Sequence, residues 1–147
     1  MAVCLATAVA AVTLAANSFT LAWTHSIEKI LWEEDWRVEN AELVLEAVRV
    51  RGYGAGMEPA PEAVLHDGVW EWHPRTTHEV LRLTRSGFTA DYQWCAEGSA
   101  CVPMSAVLPS DGGVTECAPA TRARQAGPGR CVLAFPCGGR PGFGLRC

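Results

Sequence analysis

Hydrophobic and polar residues alternate along much of the chain with a period of two, which is typical of β-strands that bury one face. The alternation is clearest in the stretch FTLAWTHSIEKILWEEDWRV, residues 19–38. Its first half predicts a strand with Phe19, Leu21 and Trp23 on one face. Its second half predicts a strand in which one face carries mainly large apolar residues: Ile30, Trp32, Glu34, Trp36 and Val38. We therefore expect two long strands that are joined by a bend near residues 25–27.

Further short strands are expected at intervals of roughly ten residues. Residues 43–50 are largely apolar on both faces, which is typical of a strand in the middle of a sheet. The dipeptide Asp67-Gly68 predicts a hairpin turn into the next strand. The remaining predicted strands are residues 69–73, 79–84, 92–95, 101–104 and 114–117. Because no segment has a convincing helical period, the sequence predicts an all-β fold, an antiparallel β-sandwich or flattened barrel of about eight to ten short strands.

The character of the chain changes after residue 118. Its 147 residues are enough for one domain with its own core. All 16 acidic residues and seven of the 12 basic ones precede this point, whereas residues 119–147 hold five arginines among many glycines and prolines. We expect a β-sandwich domain over residues 1–118 and a disordered tail over residues 119–147. The acidic domain argues against nucleic-acid binding, which requires neutralised phosphates.

Residues 2–16, AVCLATAVAAVTLAA, are apolar and uncharged, and two interpretations of them are open. They form either two short strands, around residues 3–6 and 12–15, or a signal peptide that ends near Ala16. The lack of Lys and Arg before the apolar run argues against the signal peptide. The run is shorter than the roughly 20 residues of a membrane-spanning helix, so no transmembrane span is predicted.

Seven cysteines are present, and their spacing is not that of a zinc site. Cys95 and Cys101 bracket the loop AEGSA between two predicted strands. This arrangement is compatible with a disulfide that closes the hairpin in an oxidising compartment, and equally with two reduced, buried thiols.

The bend between the two long strands collects side chains that suit catalysis. Thr24, His25, Ser26 and Glu28 lie within five residues of one another. In an extended chain His25 would face away from the other three. A Ser–His–acid triad needs converging groups and usually takes them from separate elements, so a hydrolase that uses His25 with Ser26 or Glu34 is the less favoured hypothesis. No signature of a well-known enzyme class occurs in the chain.

A metal site is a second hypothesis for the same residues. His25, Glu28 and Glu34, with His66 or His73, are ligand types that suit zinc or manganese. However, no pair of histidines has the spacing of a joint ligand set. The sequence therefore predicts no metal and no cofactor.

Glu34 is the residue that most needs a partner, because it shares its predicted face with two tryptophans. An unpaired buried carboxylate is costly, and Arg49, Arg51 and His25 are the candidate partners. In one interpretation these groups form a structural hydrogen-bond network that fixes the packing of the two long strands. In the other, the network borders a groove that binds a small solute or a partner protein.

The glycine-rich segment GYGAGM, residues 52–57, would form the rim of such a groove. No helix is predicted after it, so it is not a phosphate-binding loop. The predicted ligand- or partner-binding residues are Thr24, His25, Ser26, Glu28, Glu34, Gly54, Gly56 and Met57.

Four segments of the chain resemble an uncharacterised bacterial family, domain of unknown function 1850. They are FTLAWTHSIEKILWEEDWRV, GYGAGMEP, HDGVWEWHP and RSGFTADYQWC, and the resemblance extends from about residue 4 to residue 117. In that family the segment before the Phe-Thr strand belongs to the domain, which favours strands for residues 2–16.

The resemblance implies a role in transport instead of a known activity. Genes for such domains often lie beside tripartite ATP-independent periplasmic (TRAP) transporters of the TAXI type. We therefore expect a non-enzymatic accessory protein that binds a small organic solute or a transporter subunit. The family implies a periplasmic or membrane-associated location, while the lack of a clear signal peptide keeps a cytoplasmic location open.

Overall fold

The computed structural model of the chain describes residues 1–24, 29–52 and 58–120. Within them the chain forms twelve strands and a single turn of 3₁₀ helix (Met104–Ala106), which confirms the all-β prediction. None of the helical structure in these residues is long and apolar enough to cross a membrane. The strands are β1 (Ala2–Ala6), β2 (Ala11–Ala15), β3 (Ser18–Thr24), β4 (Leu31–Glu39), β5 (Glu42–Val50), β6 (Val64–His66), β7 (Val69–Trp72), β8 (Thr77–His78), β9 (Leu81–Thr84), β10 (Gln93–Ala96), β11 (Val102–Pro103) and β12 (Val114–Pro119).

The strands pair into two antiparallel sheets. The smaller sheet has the order β2-β1-β12-β9. The larger sheet has the order β11-β10-β3-β4-β5-β7-β6, and β8 also pairs with β5. Neither sheet closes on itself, so the fold is an open sandwich and not a flattened barrel.

Residues 2–6 and 11–15 are strands of the smaller sheet. β1 lies between β2 and β12, and its Val3 and Leu5 side chains are fully buried. Its pairing with β12 joins the first residues of the chain to residues 116–119. Of the tail expected over residues 119–147, the part beyond residue 120 lies outside the described residues.

The main core fills the space between the two sheets. Val3, Leu5 and Leu83 contribute to it from the smaller sheet. From the larger sheet, Phe19 stacks on Trp94 with ring centroids 4.5 Å apart. A second cluster on the larger sheet contains no residue of the smaller one: Ile30, Val48 and Val50, packed against Trp32, Leu45, Trp70 and Trp72. The larger sheet therefore presents part of its inner face beyond the smaller sheet.

Two hairpins have the connections expected from their turn residues. Asp67 and Gly68 both have positive φ, 49° and 77°, and they join His66 directly to Val69, as a type I′ turn requires. β10 pairs with β11 across the cysteine loop. Cys95 and Cys101 form a disulfide there, with a Cα–Cα distance of 4.1 Å.

A buried ion pair attaches the smaller sheet to the loop before β10. The Arg85 side chain is only 1% exposed, and its Nε and Nη2 donate to the two Asp91 carboxylate oxygens at 2.9 and 2.7 Å. Arg85 Nη1 also donates to Thr115 Oγ1 in β12. Burial alone would raise the pKa of Asp91, but the hydrogen bonds and charge of Arg85 outweigh it and lower that pKa. The pair therefore fixes the segment that carries Tyr92.

We expect Asp91→Asn to lower the free energy of unfolding by about 3 kcal/mol, because it leaves the Arg85 charge buried without a counter-charge. The matched control is Glu39→Gln, which breaks an exposed pair with Arg37 and should cost at most about 1 kcal/mol. Urea unfolding at neutral pH measures both losses. A loss for Asp91→Asn as small as that of the control would contradict the anchoring role of the pair.

Candidate functional site

Of the eight predicted site residues, only Thr24 and Glu34 lie within the described part of the chain. His25, Ser26, Glu28, Gly54, Gly56 and Met57 lie outside it. Thr24 is the exposed last residue of β3, and it pairs in register with Leu31. Since Glu34 pairs with Leu21, three positions from Thr24, strand alternation puts the two predicted site residues on opposite faces of the larger sheet. The structure does not bring them together.

The register between β3 and β4 determines where Glu34 lies. Leu21 pairs with Glu34, and residues that are directly opposite in a sheet share a face. Leu21 is fully buried, so Glu34 is on the inner face. Trp32 Nε1 donates to Glu34 Oε1 at 3.3 Å, and Trp36 Nε1 donates to Oε2 at 3.1 Å. The prediction that Glu34 shares a face with these two tryptophans is confirmed.

The prediction of Arg49 or Arg51 as ionic partner of Glu34 is wrong. In the β4–β5 register Val48 is opposite Glu34, which turns both arginines to the outer face. Arg49 binds Asp35 through two hydrogen bonds of 2.6 and 2.7 Å, and Arg51 Nε donates to Glu33 at 2.9 Å. The third candidate, His25, is outside the described residues. Within the described ranges no Lys, Arg or His forms a salt bridge with Glu34.

Burial raises the pKa of Glu34, and the hydrogen bonds from Trp32 and Trp36 offset only part of that rise. The charged form of Glu34 therefore accepts hydrogen bonds from two neutral donors, and its free energy is higher than it would be in water. This is a strained electrostatic environment for a group on the inner face of a sandwich.

Glu34 opens onto a groove between the larger sheet and edge strand β9. The groove has a volume of about 380 Å³. We call it the aromatic groove, and its main lining side chains are Trp23, Glu34, Trp36, Leu45, His78 and Tyr92, together with residues 80–83. It lies where the inner face of the larger sheet extends past the smaller sheet.

Ring contacts continue the aromatic surface on both sides of Trp23. The Tyr92 ring contacts the Trp23 ring edge-to-face, with centroids 5.4 Å apart. The Trp32 ring stacks on the Trp23 ring, with centroids 5.8 Å apart. Trp72 contacts the edge of Trp32 at 5.9 Å. All four side chains are half-buried, so each has one part packed and another accessible. Such surfaces bind flat or apolar ligand groups.

The pKa of Tyr92 reflects its position in the aromatic groove. Its pKa is raised first by burial and then by the negative charges of Glu34 and Asp91. The phenol therefore keeps its proton at neutral pH and can donate a hydrogen bond to a ligand.

The outer face of the larger sheet has a different character, because its charges pair with one another. Thr20 Oγ1 donates to Asp35 Oδ1 at 2.6 Å, beside the Arg49 contacts. Burial would raise the pKa of Asp35, but the hydrogen bonds from Arg49 and Thr20 outweigh it and lower that pKa. The structural-network interpretation fits this face.

Two histidines of the metal hypothesis, His66 and His73, have other partners, and the third, His25, lies outside the described residues. His66 Nε2 lies 3.2 Å from Asp67, and His73 Nδ1 lies 2.9 Å from the Glu46 backbone oxygen. In the described ranges no three Cys, His, Asp or Glu side chains are grouped so as to hold a metal ion.

Tyr92 and His78 were not among the predicted site residues. Both line the groove through contacts between segments that are far apart along the chain: β8, which carries His78, pairs with β5, and Tyr92, just before β10, packs on Trp23 of β3. Periodicity identifies the face of each strand but carries no information on which strands become neighbours. The available signal was the polar tip of Tyr92, which needs a partner or solvent when its ring is buried.

The family model Domain of unknown function (DUF1850) matches residues 19–104, more than half of the chain. The match includes β3 and β4, and also Tyr92 and β9 from the other side of the groove. β1, β2 and β12, three of the four strands in the smaller sheet, lie outside it. Comparisons with curated proteins and with solved structures found no match.

We expect the stability difference between the wild type and Glu34→Gln to depend on pH. Because the folded-state pKa of Glu34 is raised, the folded protein binds more protons than the unfolded chain just above the ordinary carboxyl pKa. The free energy of unfolding of the wild type therefore falls as pH rises through this window, by about 1.4 kcal/mol for each pKa unit. Glutamine does not titrate, so the variant gains relative to the wild type as pH rises above the ordinary carboxyl pKa.

Urea unfolding of both proteins across this range measures the effect, and Glu39→Gln serves as the control for an exposed carboxylate on the same strand. A wild type that gains stability over Glu34→Gln as pH rises would contradict the raised pKa.

Proposed function

Since the chain belongs to the DUF1850 family, we propose that it is a non-enzymatic accessory protein of a TRAP-type solute transport system. In this proposal it binds a small organic solute in the aromatic groove. The resemblance to proteins encoded beside TAXI-type transporters supports the transport role. The shape and chemistry of the groove support the binding role.

The observation that carries the proposal is the placement of Glu34. Its carboxylate accepts two indole N–H bonds at the floor of an open groove, instead of lying in a closed core. A purely structural network gains nothing from a buried carboxylate with no salt bridge, since such a charge lowers stability. Costly polar groups in otherwise apolar pockets are typical of ligand sites.

The size of the groove favours a small molecule. A volume of about 380 Å³ lies within the range of small-molecule sites, and most of the lining residues are apolar or aromatic. A few polar groups, from Glu34 and Tyr92, would orient the ligand. A transporter subunit is the other occupant that the family resemblance suggests, and the experiment below separates the two.

The hydrolase and metal hypotheses depend on His25, Ser26 and Glu28. These residues lie outside the described part of the chain, and no observation within it favours either activity.

We expect a thermal-shift screen of small organic cations, anions and neutral solutes to find ligands that raise the Tm of the full chain. A ligand that binds only the folded state stabilises it by mass action. Trp23→Leu should weaken binding by about tenfold or more, because it removes a wall of the groove. Tryptophan fluorescence titration measures the affinity.

The matched control is Trp70→Leu, which removes another half-buried tryptophan of the larger sheet that does not line the groove. Its affinity should stay within about threefold of the wild type. If no solute of any charge class shifts Tm, while the neighbouring transporter subunits retain the protein in a pull-down, the small-solute proposal is wrong and the subunit is the occupant.

A further inference from the structure

The aromatic groove contains one negative charge that the described part of the protein does not balance. Glu34 has hydrogen-bond donors at both carboxylate oxygens, but both donors are neutral indoles. Arg49 on β5 and Arg51 just after it bind Asp35 and Glu33, respectively, on the other face of the sheet. A ligand with positive charge would therefore supply what this site lacks.

Arg82, an arginine that lines the groove, does not fill this role. Arg82 lies on β9 between Leu81 and Leu83, whose side chains are buried against the core. Strand alternation turns Arg82 to the other face of the smaller sheet, where its Nε lies 3.7 Å from Glu116 and its side chain is 63% exposed. Its charge is thus directed away from Glu34.

The walls of the groove also suit a cation. Trp23 and Tyr92 present half-buried rings beside Glu34, whereas Trp36 is buried in the core and contributes its indole N–H to the carboxylate. The face of an aromatic ring attracts a cation within roughly 6 Å, most strongly for tryptophan. Rings with an adjacent carboxylate form the kind of cage that recognises organic ammonium groups.

An anionic ligand would meet the opposite conditions. It would be repelled by Glu34 and by the partial negative charge on the ring faces. The desolvated setting strengthens both effects compared with the outer surface. A neutral ligand would fill the volume without relieving the charge of Glu34.

We propose that the aromatic groove selects a small organic ammonium ion, held by the Glu34 carboxylate and by the half-buried rings of Trp23 and Tyr92. This inference rests on the proposed solute-binding function and names the class of solute. The carboxylate keeps lone pairs free beside the two indole bonds, so a primary ammonium would also donate hydrogen bonds to it. A quaternary ammonium would bind through charge and ring contacts alone.

The test compares cations with neutral molecules of the same shape on the full-length wild type. Choline is compared with its carbon isostere, in which a quaternary carbon replaces the nitrogen. The neutral molecule of the same shape as butylammonium is pentane, which is poorly soluble, so butanol is used in its place. Butyrate is the anionic control. Tryptophan fluorescence and isothermal titration calorimetry measure binding at millimolar concentrations.

We expect choline or butylammonium to bind about tenfold or more tightly than the matched neutral compound, and butyrate not to bind. If butylammonium binds more tightly than choline, the preferred ligand is a primary ammonium that donates hydrogen bonds to Glu34. If choline binds more tightly, it is a quaternary ammonium held by charge and ring contacts. Glu34→Gln should reduce cation affinity by about tenfold or more, while Glu39→Gln leaves it unchanged. Near-ultraviolet circular dichroism verifies that the variants keep the tryptophan packing.

The comparison on the wild type does not depend on whether Glu34→Gln folds. If neutral compounds or butyrate bind as tightly as the cations, and Trp23→Leu weakens them, the ammonium inference is wrong and solute binding in the groove survives. If none of these compounds binds the wild type while the thermal-shift screen finds another ligand, the ammonium inference is wrong and solute binding survives. If that screen also finds no ligand, both are overturned.

Discussion

The structure depends on the pairing of β3 with β4, because this register decides which side chains face inward. Phe19 pairs with Trp36, Leu21 with Glu34 and Trp23 with Trp32. A shift by one residue would exchange the two faces of β4, moving the tryptophans to solvent and the charged outer residues into the core. The same register that buries the aromatic core therefore also carries Glu34 inward. The core and the candidate site are consequences of one alignment.

Carboxylates on the two faces of β4 have opposite electrostatic environments. On the outer face Asp35 has Arg49 and Thr20 as partners, and its pKa is lowered. On the inner face, the donors to Glu34 among the described residues are both indoles, and burial raises its pKa. The first arrangement stabilises the fold, whereas the second opposes it. A residue that lowers stability in an open groove is typical of a ligand-binding site.

Local pattern predicted the elements better than the site. The alternation in β3 and β4, and the Asp67-Gly68 turn, depend on neighbouring residues, so the sequence was sufficient for them. Whether Arg49 or Arg51 can pair with Glu34 depends on the β4–β5 register, including the irregularity between Asp35 and Trp36, and this register is not encoded in the pattern of either strand. Tyr92 joins the groove through the contact of distant segments. The predicted residues around His25 and Gly54 remain predictions.

In the described part of the chain, no positively charged side chain balances the Glu34 carboxylate, which faces an accessible groove. This arrangement is tested by the pKa of Glu34, measured by NMR of the side-chain carboxyl carbon with and without choline or butylammonium. Our account predicts a pKa above the ordinary glutamate value in the free protein, and a lower pKa when the cation is bound, because the cation stabilises the charged form. A pKa at or below the ordinary value in the free protein, or one that saturating cation leaves unchanged, would contradict it.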